Sequence, residues 1–424
     1  MAQKEECFVY IQLPQSDDIV TCGRYVRAQS ALGDAVGKFV YGKRYREHPR
    51  AVPIDPVHLP LSGDTYETTK LEGVFGALRD AGPDAWGRRV IEHALGKLDV
   101  GEIEYLLNSP EDRAGALSFG LGQVPPPPVR AFNSTLKLQE LLEAAQEFEV
   151  LAHGDVPSPN LRRLLTLVEA GTSMGGARPK NVVTDEQGVW LAKFPARGDR
   201  WNNAPVEAAM LALATHCNIR VPAYRIETVG SLRVLLVQRF DRLAVDGSAN
   251  GHCKARMVSA LTVLDADEII NRRRWSYLLL SDELQKWSCR PKHDRAELFR
   301  RMVFNALVTN SDDHPRNHAL IAVTDEWRLS PAYDITPSPT HSYERDLAMV
   351  CGTAGRRATR NNLVSGCGRF GLGRAEAEAT IYQMRTIVTA RWEKEVLSHG
   401  GSVADCDAVR PAFDLGGFDV GDYA

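Results

Sequence analysis

Alternating apolar and polar positions open the chain. FVYIQLP (8–14), GRYVRAQS (23–30) and GKFVYGKRY (37–45) combine period-two alternation with β-branched and aromatic residues, and glycine and aspartate break them apart. That pattern predicts three short strands. The spacing then turns helical in LEGVFGALRDAGPDAWGRRVIEHAL (71–95), where Pro83 predicts a stop or restart because proline lacks the N–H an inner turn needs. GQVPPPPVRAF (122–132) follows, and its four consecutive prolines read as a stiff extended spacer. A domain boundary is expected there, with residues 1–124 forming a small α/β N-terminal domain and 125–424 a second domain.

Helical spacing resumes in LKLQELLEAAQEFE (136–149) and NLRRLLTLVEAG (160–171). The small, flexible stretch GTSMGGARPK (171–180) leads into strand-like NVVT and VWLAKFP, separated by the turn DEQG. PVEAAMLALATHCNI (205–219) returns to helix, with proline in its first turn. YRIETVG and SLRVLLVQRFDR form another strand pair. Helices dominate from about Met257, in RWSYLLLSDELQKW, RAELFRRMVFNALVTN and the final AEAEATIYQMRTIVTARWEKEVLSH. Two short strands, HALIAV and EWRLSP, interrupt them. A strand-rich part with one conspicuous helix (about 125–242) thus precedes a helical part (about 243–424), an α+β, two-lobed layout. No repeat recurs at a solenoid period.

Composition narrows the classes. With 44% hydrophobic residues over 424 positions the chain has ample core for two or three domains. A net charge of -3 gives no global reason to bind nucleic acid or an anionic membrane. No stretch approaches the ~18 to 20 apolar residues of a membrane span, and MAQKEECFVYIQLP lacks the apolar run of a signal peptide. The eight cysteines include no CxxC pair. These features predict a cytoplasmic protein with reduced thiols. His252-Cys253 with Cys289 lack zinc-type spacing and read as ordinary thiols beside a histidine.

Candidate chemistry centres on TNSDDHPRNHALI (309–321), which crowds two aspartates, a histidine and an asparagine into a loop after an apolar helix. Carboxylates that close repel unless a cation, a proton or water offsets them. Asn317 follows Asp312 by five positions, and Asp334 lies in LSPAYDI after the strand pair. Protein kinases use this spacing for a proton acceptor and two magnesium ligands. Asp313 is either a solvent-facing neighbour or itself the base; the spacing to Asn317 favours Asp312. Short Asp/His/Asn clusters also occur as plain turns. Lys193, in a strand with apolar Trp190, Leu191 and Phe194, is placed either to reach phosphate oxygens or on a solvated face. Glu207 on the next helix either holds that lysine or is a surface acid. The paired glycines of SMGGARPK let backbone amides approach phosphate, and Gln238 and Phe240 stand where a hinge would meet adenine.

SMGGARPK, LAKFP, QRFDR, NSDDHPRNHALI and LSPAYDI, in this order, closely resemble the HipA-like serine/threonine kinases of bacterial toxin–antitoxin systems. GVFGALRDAGPDAWGRRVI and DRAGALSFG resemble the small domain that precedes the kinase fold in that family. The resemblance implies a two-lobed protein-kinase-like fold behind an N-terminal domain, and phosphorylation of protein with ATP and Mg²⁺. It makes Asp312 the catalytic base, Asn317 and Asp334 the metal ligands, and Lys193 the phosphate-binding lysine. His314 and Tyr333 flank the nucleotide, and Gln238 and Phe240 belong to the hinge. Ser173, Gly175, Gly176, Ala177, Arg178 and Lys180 belong to a phosphate-binding loop in which Ser173 takes the place of an autophosphorylated serine. Three positions depart from the family's usual pattern: Arg178-Pro179 replaces a polar-acidic pair, and Gln238 a common hinge glutamate. The best-known members phosphorylate an aminoacyl-tRNA synthetase, are restrained by a small DNA-binding antitoxin, and reach operator DNA through it.

Other readings keep a place beside this one. A metal-dependent phosphohydrolase would use Asp312, Asp313, His314 and Asp334 as ligands without needing Lys193 or the glycine loop. A silent nucleotide-binding corepressor of the antitoxin would bind ATP without turnover, and a small-molecule kinase would share every motif. The basic stretches NRRRW (271–275) and GRRATR (355–360) read either as contacts for nucleic acid or an acidic partner, or as solvated faces.

Overall fold

The structure is a computed structural model that describes residues 4–30, 33–98, 100–109, 113–126, 133–151, 178–244, 252–268 and 271–418. The expected helix at 160–171 and the loop residues Ser173, Gly175, Gly176 and Ala177 lie outside the described residues. Contacts divide the chain into two compact units that do not follow sequence order. One comprises Met1–Ala196, Gln238–Val258 and Ile321–Glu326; the other Arg197–Val237, Ser259–Leu320 and Trp327–Ala424.

The first unit opens with the three expected strands, β1 (Lys4–Gln12), β2 (Ile19–Gln29) and β3 (Ala35–Tyr41). Two short strands that the pattern did not signal, β4 (Thr65–Thr68) and β5 (Leu117–Gly120), complete an antiparallel sheet of order β4-β3-β2-β1-β5. Its apolar face buries Tyr25, Phe39 and Tyr41, and the Phe39 ring meets Tyr41 edge-on at 4.8 Å. Each buried tyrosine still finds an acceptor, as a phenol removed from water must. Tyr25 donates to the Gly73 carbonyl at 2.6 Å and Tyr41 to that of Leu59 at 2.6 Å. Gly73 has φ +81°, and a Cβ on Gly37 would lie 1.7 Å from the Gly73 oxygen, so this crossing needs glycine on both sides.

Pro83 separates two helices, Gly76–Asp80 and Ala85–Leu95. Asp84 caps the second by accepting the Gly87 N–H at 2.7 Å. Beyond the proline run, β6 (Asn133–Ser134) lies parallel to β7 (Lys180–Asp185), which pairs antiparallel with β8 (Gly188–Lys193) and sets Lys180 opposite Lys193. The QRFDR segment is held within this unit by charge. Arg239 and Arg242 each donate to the fully buried Asp241 at 2.8 Å, and Asp241 also accepts the Gly115 N–H at 2.9 Å. Both guanidiniums reach the Arg113 carbonyl as well. Burial works to raise the Asp241 carboxyl, but Arg239 and Arg242 outweigh it and hold the group far below the ordinary carboxylate range.

In the second unit, β9 (Tyr224–Val229) and β10 (Leu232–Gln238) form the expected hairpin beside the Asn203–His216 helix, whose residues Ala204 to Ala214 are all buried. Helices Tyr277–Trp287, Pro291–Leu307 and Arg374–Ser398 make the body. A short strand, Arg256–Ser259, all but its last residue in the first unit, occurs where helices were expected to begin, just after another at His252–Lys254. Among the described residues no helix is long and apolar enough to cross a membrane.

Asp241 yields two expectations. Replacing it with alanine strands two buried guanidiniums and should cost about 3–5 kcal/mol, read from urea denaturation at pH 7. Because its folded value lies below the unfolded one, its contribution is present above pH ~4 and is lost as pH falls below that. Asp241→Asn should therefore flatten the acid limb of the stability profile.

Candidate functional site

The Pro291–Leu307 helix delivers the loop, and its buried side carries charge. Asp294, Glu297 and Arg301 are all buried at successive turns, and Arg220 joins them by donating to Glu297 at 2.7 Å. Arg301 donates to Glu297 and to the Ser330 carbonyl, and Arg220 to the Leu329 carbonyl at 2.9 Å. Asp294 accepts the Leu329 N–H at 2.8 Å. Burial pushes Glu297 up, yet Arg301 and Arg220 reverse this and leave it below its ordinary value. This lattice fixes the strand Trp327–Leu329 and the start of SPAYDI against the helix. Ala332 N–H donating to the Arg220 carbonyl at 2.7 Å continues the anchoring toward Tyr333 and Asp334.

Two residues with left-handed backbone bracket the site. Thr309 has φ 52° and Asp334 φ 59°. A β-branched residue at positive φ is an outlier that surrounding bonds must enforce. Thr309 is held by Arg345, which donates to its Oγ1 at 2.6 Å, by its own hydroxyl bond to the Ala412 carbonyl, and by Ser338 N–H at 2.9 Å to its carbonyl. The bend turns the chain out of the helix. Asn310 then bonds back to Asn305 at 3.1 Å, and Asn305 to the Tyr277 hydroxyl at 3.0 Å.

Within the loop the two aspartates part company. Asp312 is exposed, whereas Asp313 is buried on His318 at 3.1 Å, and the His318 ring meets Tyr277 edge-on at 5.4 Å. Asn317, itself buried, donates from Nδ2 to the Asp312 carbonyl at 3.1 Å. Its Oδ1 thereby faces away from that bond as a hard oxygen acceptor. The Tyr333 hydroxyl donates to the Arg316 carbonyl at 2.7 Å, joining LSPAYDI to the loop. Arg301, Asp313, Asn317, His318 and Tyr333 line a cavity of about 10 Å³, room for one water at most. Among the described residues the buried Nδ1 of His318 and Nε of Arg301 find no partner, which suits such a water.

In the other unit, Lys193 ends β8, half-buried, and Gln238 donates to the Gln187 carbonyl at 3.3 Å. Arg178 is exposed, and Phe240 is half-buried between the paired residues of QRFDR. Lys180 is committed to a buried ion pair with Asp84 at 2.8 Å. Sequence reasoning overlooked Asp294, Glu297, Arg301 and His318. Charged residues in a helical pattern read as solvated, and only their i, i+3, i+4 spacing on one face hinted otherwise.

The family model described as the HipA-like C-terminal domain matches residues 172–392, and that of the HipA N-terminal domain matches 23–120. The chain belongs to the HipA family. The HipA chain of Shewanella oneidensis MR-1, solved as a toxin–antitoxin complex of HipA, HipB and operator DNA, aligns with a TM-score of 0.69 at 16% identity over 97% of each chain. The Helicobacter pylori proinflammatory kinase CtkA aligns with a TM-score of 0.37 at 11% identity, over 57% of this chain and 93% of its own. No curated protein sequence matches the chain. The chain thus combines the HipA N-terminal domain with the HipA-like C-terminal domain in the HipA fold.

The unequal burial of the aspartates predicts unequal costs. Asp313→Ala, which orphans a buried imidazole, should lower stability by about 1–3 kcal/mol in urea unfolding. Asp312→Ala, at an exposed position, should stay within about 0.5 kcal/mol of the parent.

Proposed function

We propose that this HipA-family protein is an ATP- and Mg²⁺-dependent protein kinase that phosphorylates a serine or threonine hydroxyl. The observation that carries this reading is the division of labour in the loop: Asp313 is spent on His318, while Asp312 stays exposed, with its backbone carbonyl held by Asn317. An exposed carboxylate on a rigid loop can accept a proton from an incoming hydroxyl. In the reaction that hydroxyl oxygen bonds to the γ-phosphorus, the bond from γ-phosphorus to the β–γ bridging oxygen breaks, ADP departs, and the proton passes to Asp312. The hard oxygens of Asn317 and Asp334 fit magnesium, which when bound neutralises phosphate charge. Lys193 serves the phosphates; Gln238 and Phe240 serve the adenine, with His314 and Tyr333 flanking the nucleotide.

The regulatory reading rests on the family resemblance of the SMGGARPK segment. Ser173 becomes phosphorylated by the protein itself, and the added ~-1.5 to -2 charge beside the ATP phosphates switches activity off. Gly175, Gly176, Ala177 and Arg178 belong to the same phosphate-binding loop. Lys180 secures that segment's end at the first residue of β7. The same reading gives a toxin role against a translation-related protein such as an aminoacyl-tRNA synthetase, and the Shewanella protein's complex with HipB and operator DNA supports a DNA-binding antitoxin partner. The phosphohydrolase reading is weakened by the geometry, since Asp313 is turned into the protein on His318 rather than offered as a ligand.

Intact mass after incubation with MgATP tests the proposal. The parent should gain one phosphate that maps to Ser173, and Asp312→Ala should slow that gain by about 10²–10⁴-fold. ATP binding without any transfer would favour the silent corepressor. Preincubation with ATP should inactivate the parent but spare Ser173→Ala.

A further inference from the structure

Two basic stretches remain unexplained by the catalytic assignment, and the second unit sets both beside the loop. Arg272, Arg273 and Arg274 form an exposed 3₁₀ turn just before Trp275. The Trp275 ring lies edge-on to His314 at 6.4 Å, two residues from Asp312. Glu268 ties the turn to the loop. Its carbonyl accepts Arg272 Nε at 2.8 Å, and its carboxylate accepts Arg316 at 2.5 Å. The second stretch arrives from the other side of Trp275. Val350 N–H donates to the Trp275 carbonyl at 2.8 Å, Cys351 N–H to Gly355 at 2.9 Å, and Leu347 N–H to Arg356 at 2.9 Å. Arg356 is thereby carried on a tight loop, exposed.

Charge accounting separates these arginines from their neighbours. Arg316 is paired with Glu268, and Arg357 with Glu344 at 2.9 Å. Arg272 and Arg274 meet backbone carbonyls, and Arg272 also lies over the Trp275 ring at 5.1 Å. Among the described residues no carboxylate neutralises Arg272, Arg273, Arg274 or Arg356. A chain with net charge -3 thus exposes four guanidiniums without a carboxylate partner on two segments that meet at Trp275, whose ring faces His314 of the loop. Guanidinium groups match carboxylates in a planar, two-bond geometry. Nucleic acid fits less well: Arg272 already lies over one face of the Trp275 ring, where a base would stack.

We propose that this basic surface receives an acidic segment of the protein substrate flanking the phosphorylated hydroxyl, so that the protein is an acid-directed kinase. The inference rests on the kinase reading and deepens it. Asp312 takes the hydroxyl proton, and the arginines set which hydroxyl arrives there by pairing with Asp or Glu close to it in the substrate sequence.

The test uses the full chain, MgATP and a dephosphorylated library of Ser/Thr peptides, with phosphorylated sites read by mass spectrometry. Sites should be enriched in Asp and Glu near the modified residue. The double variant Arg273→Glu/Arg356→Glu should lose about 5- to 50-fold in kcat/KM on an acidic peptide, mostly through KM, while KM for ATP is unchanged. It should gain on the same peptide with lysine in place of the acids. The milder Arg273→Gln/Arg356→Gln should fall between. Equal use of acidic and basic peptides by the parent, with phosphate still gained by the protein itself, would overturn the inference and leave the kinase reading standing. No transfer to peptide or protein would remove both. Salt-sensitive binding of a DNA duplex that the charge-reversal variant abolishes, without any acidic preference, would assign the surface to nucleic acid instead.

Discussion

The site depends on a buried ionic lattice, not on an apolar core alone. Glu297, Arg301 and Asp294 project from one helix, and Arg220 bonds to the same group from outside it. Removing Glu297 would strand the buried Arg301 guanidinium, among the most costly states for a protein interior. The lattice therefore cannot slip by small steps. Because its bonds end on the backbone of Leu329, Ser330 and, through Arg220, Ala332, it fixes where the following Tyr333 and Asp334 begin. The loop that carries Asp312 leaves the end of the same helix, just beyond Leu307. One rigid element thus sets both carboxylate-bearing segments.

On this base the loop divides its polar groups between support and exposure. Asp313 and His318 satisfy each other inside, and Asn317 closes the turn onto the carbonyl of Asp312. The backbone of Asp312 takes part in that turn while its side chain is left exposed. Backbone strain at Thr309 belongs to the same economy: a threonine at positive φ is tolerated because Arg345, Ser338 and Ala412 all bond to it.

Much of this was legible in the sequence. The alternation of β1 to β3, the break at Pro83 and the hairpin of β9 and β10 follow from local pattern, which short-range sterics dictate. The order of motifs pointed to the family that the matches at residues 23–120 and 172–392 establish. The supporting network was not legible. RAELFRRMVFNAL shows arginines in a helical pattern, and nothing local says that Arg301 is buried while Arg300 reaches the surface to bond with the Asn218 carbonyl. That distinction is made by Ser330, 29 residues away in sequence. QRFDR points by sequence to a hinge at Gln238 and Phe240 or to charged residues leaving a sheet, yet Arg239, Asp241 and Arg242 are the ones the fold buries.

The Asp241 cluster has a consequence for how such chains arise. Its ligands come from both sides of the proline run: Arg113 and Gly115 before it, Arg239 and Arg242 after. A gene fusion or exchange at that run would hand one descendant a cluster of cations without their backbone acceptors and the other an empty set of carbonyls. The segments before and after the proline run therefore complete one charge set that neither carries alone.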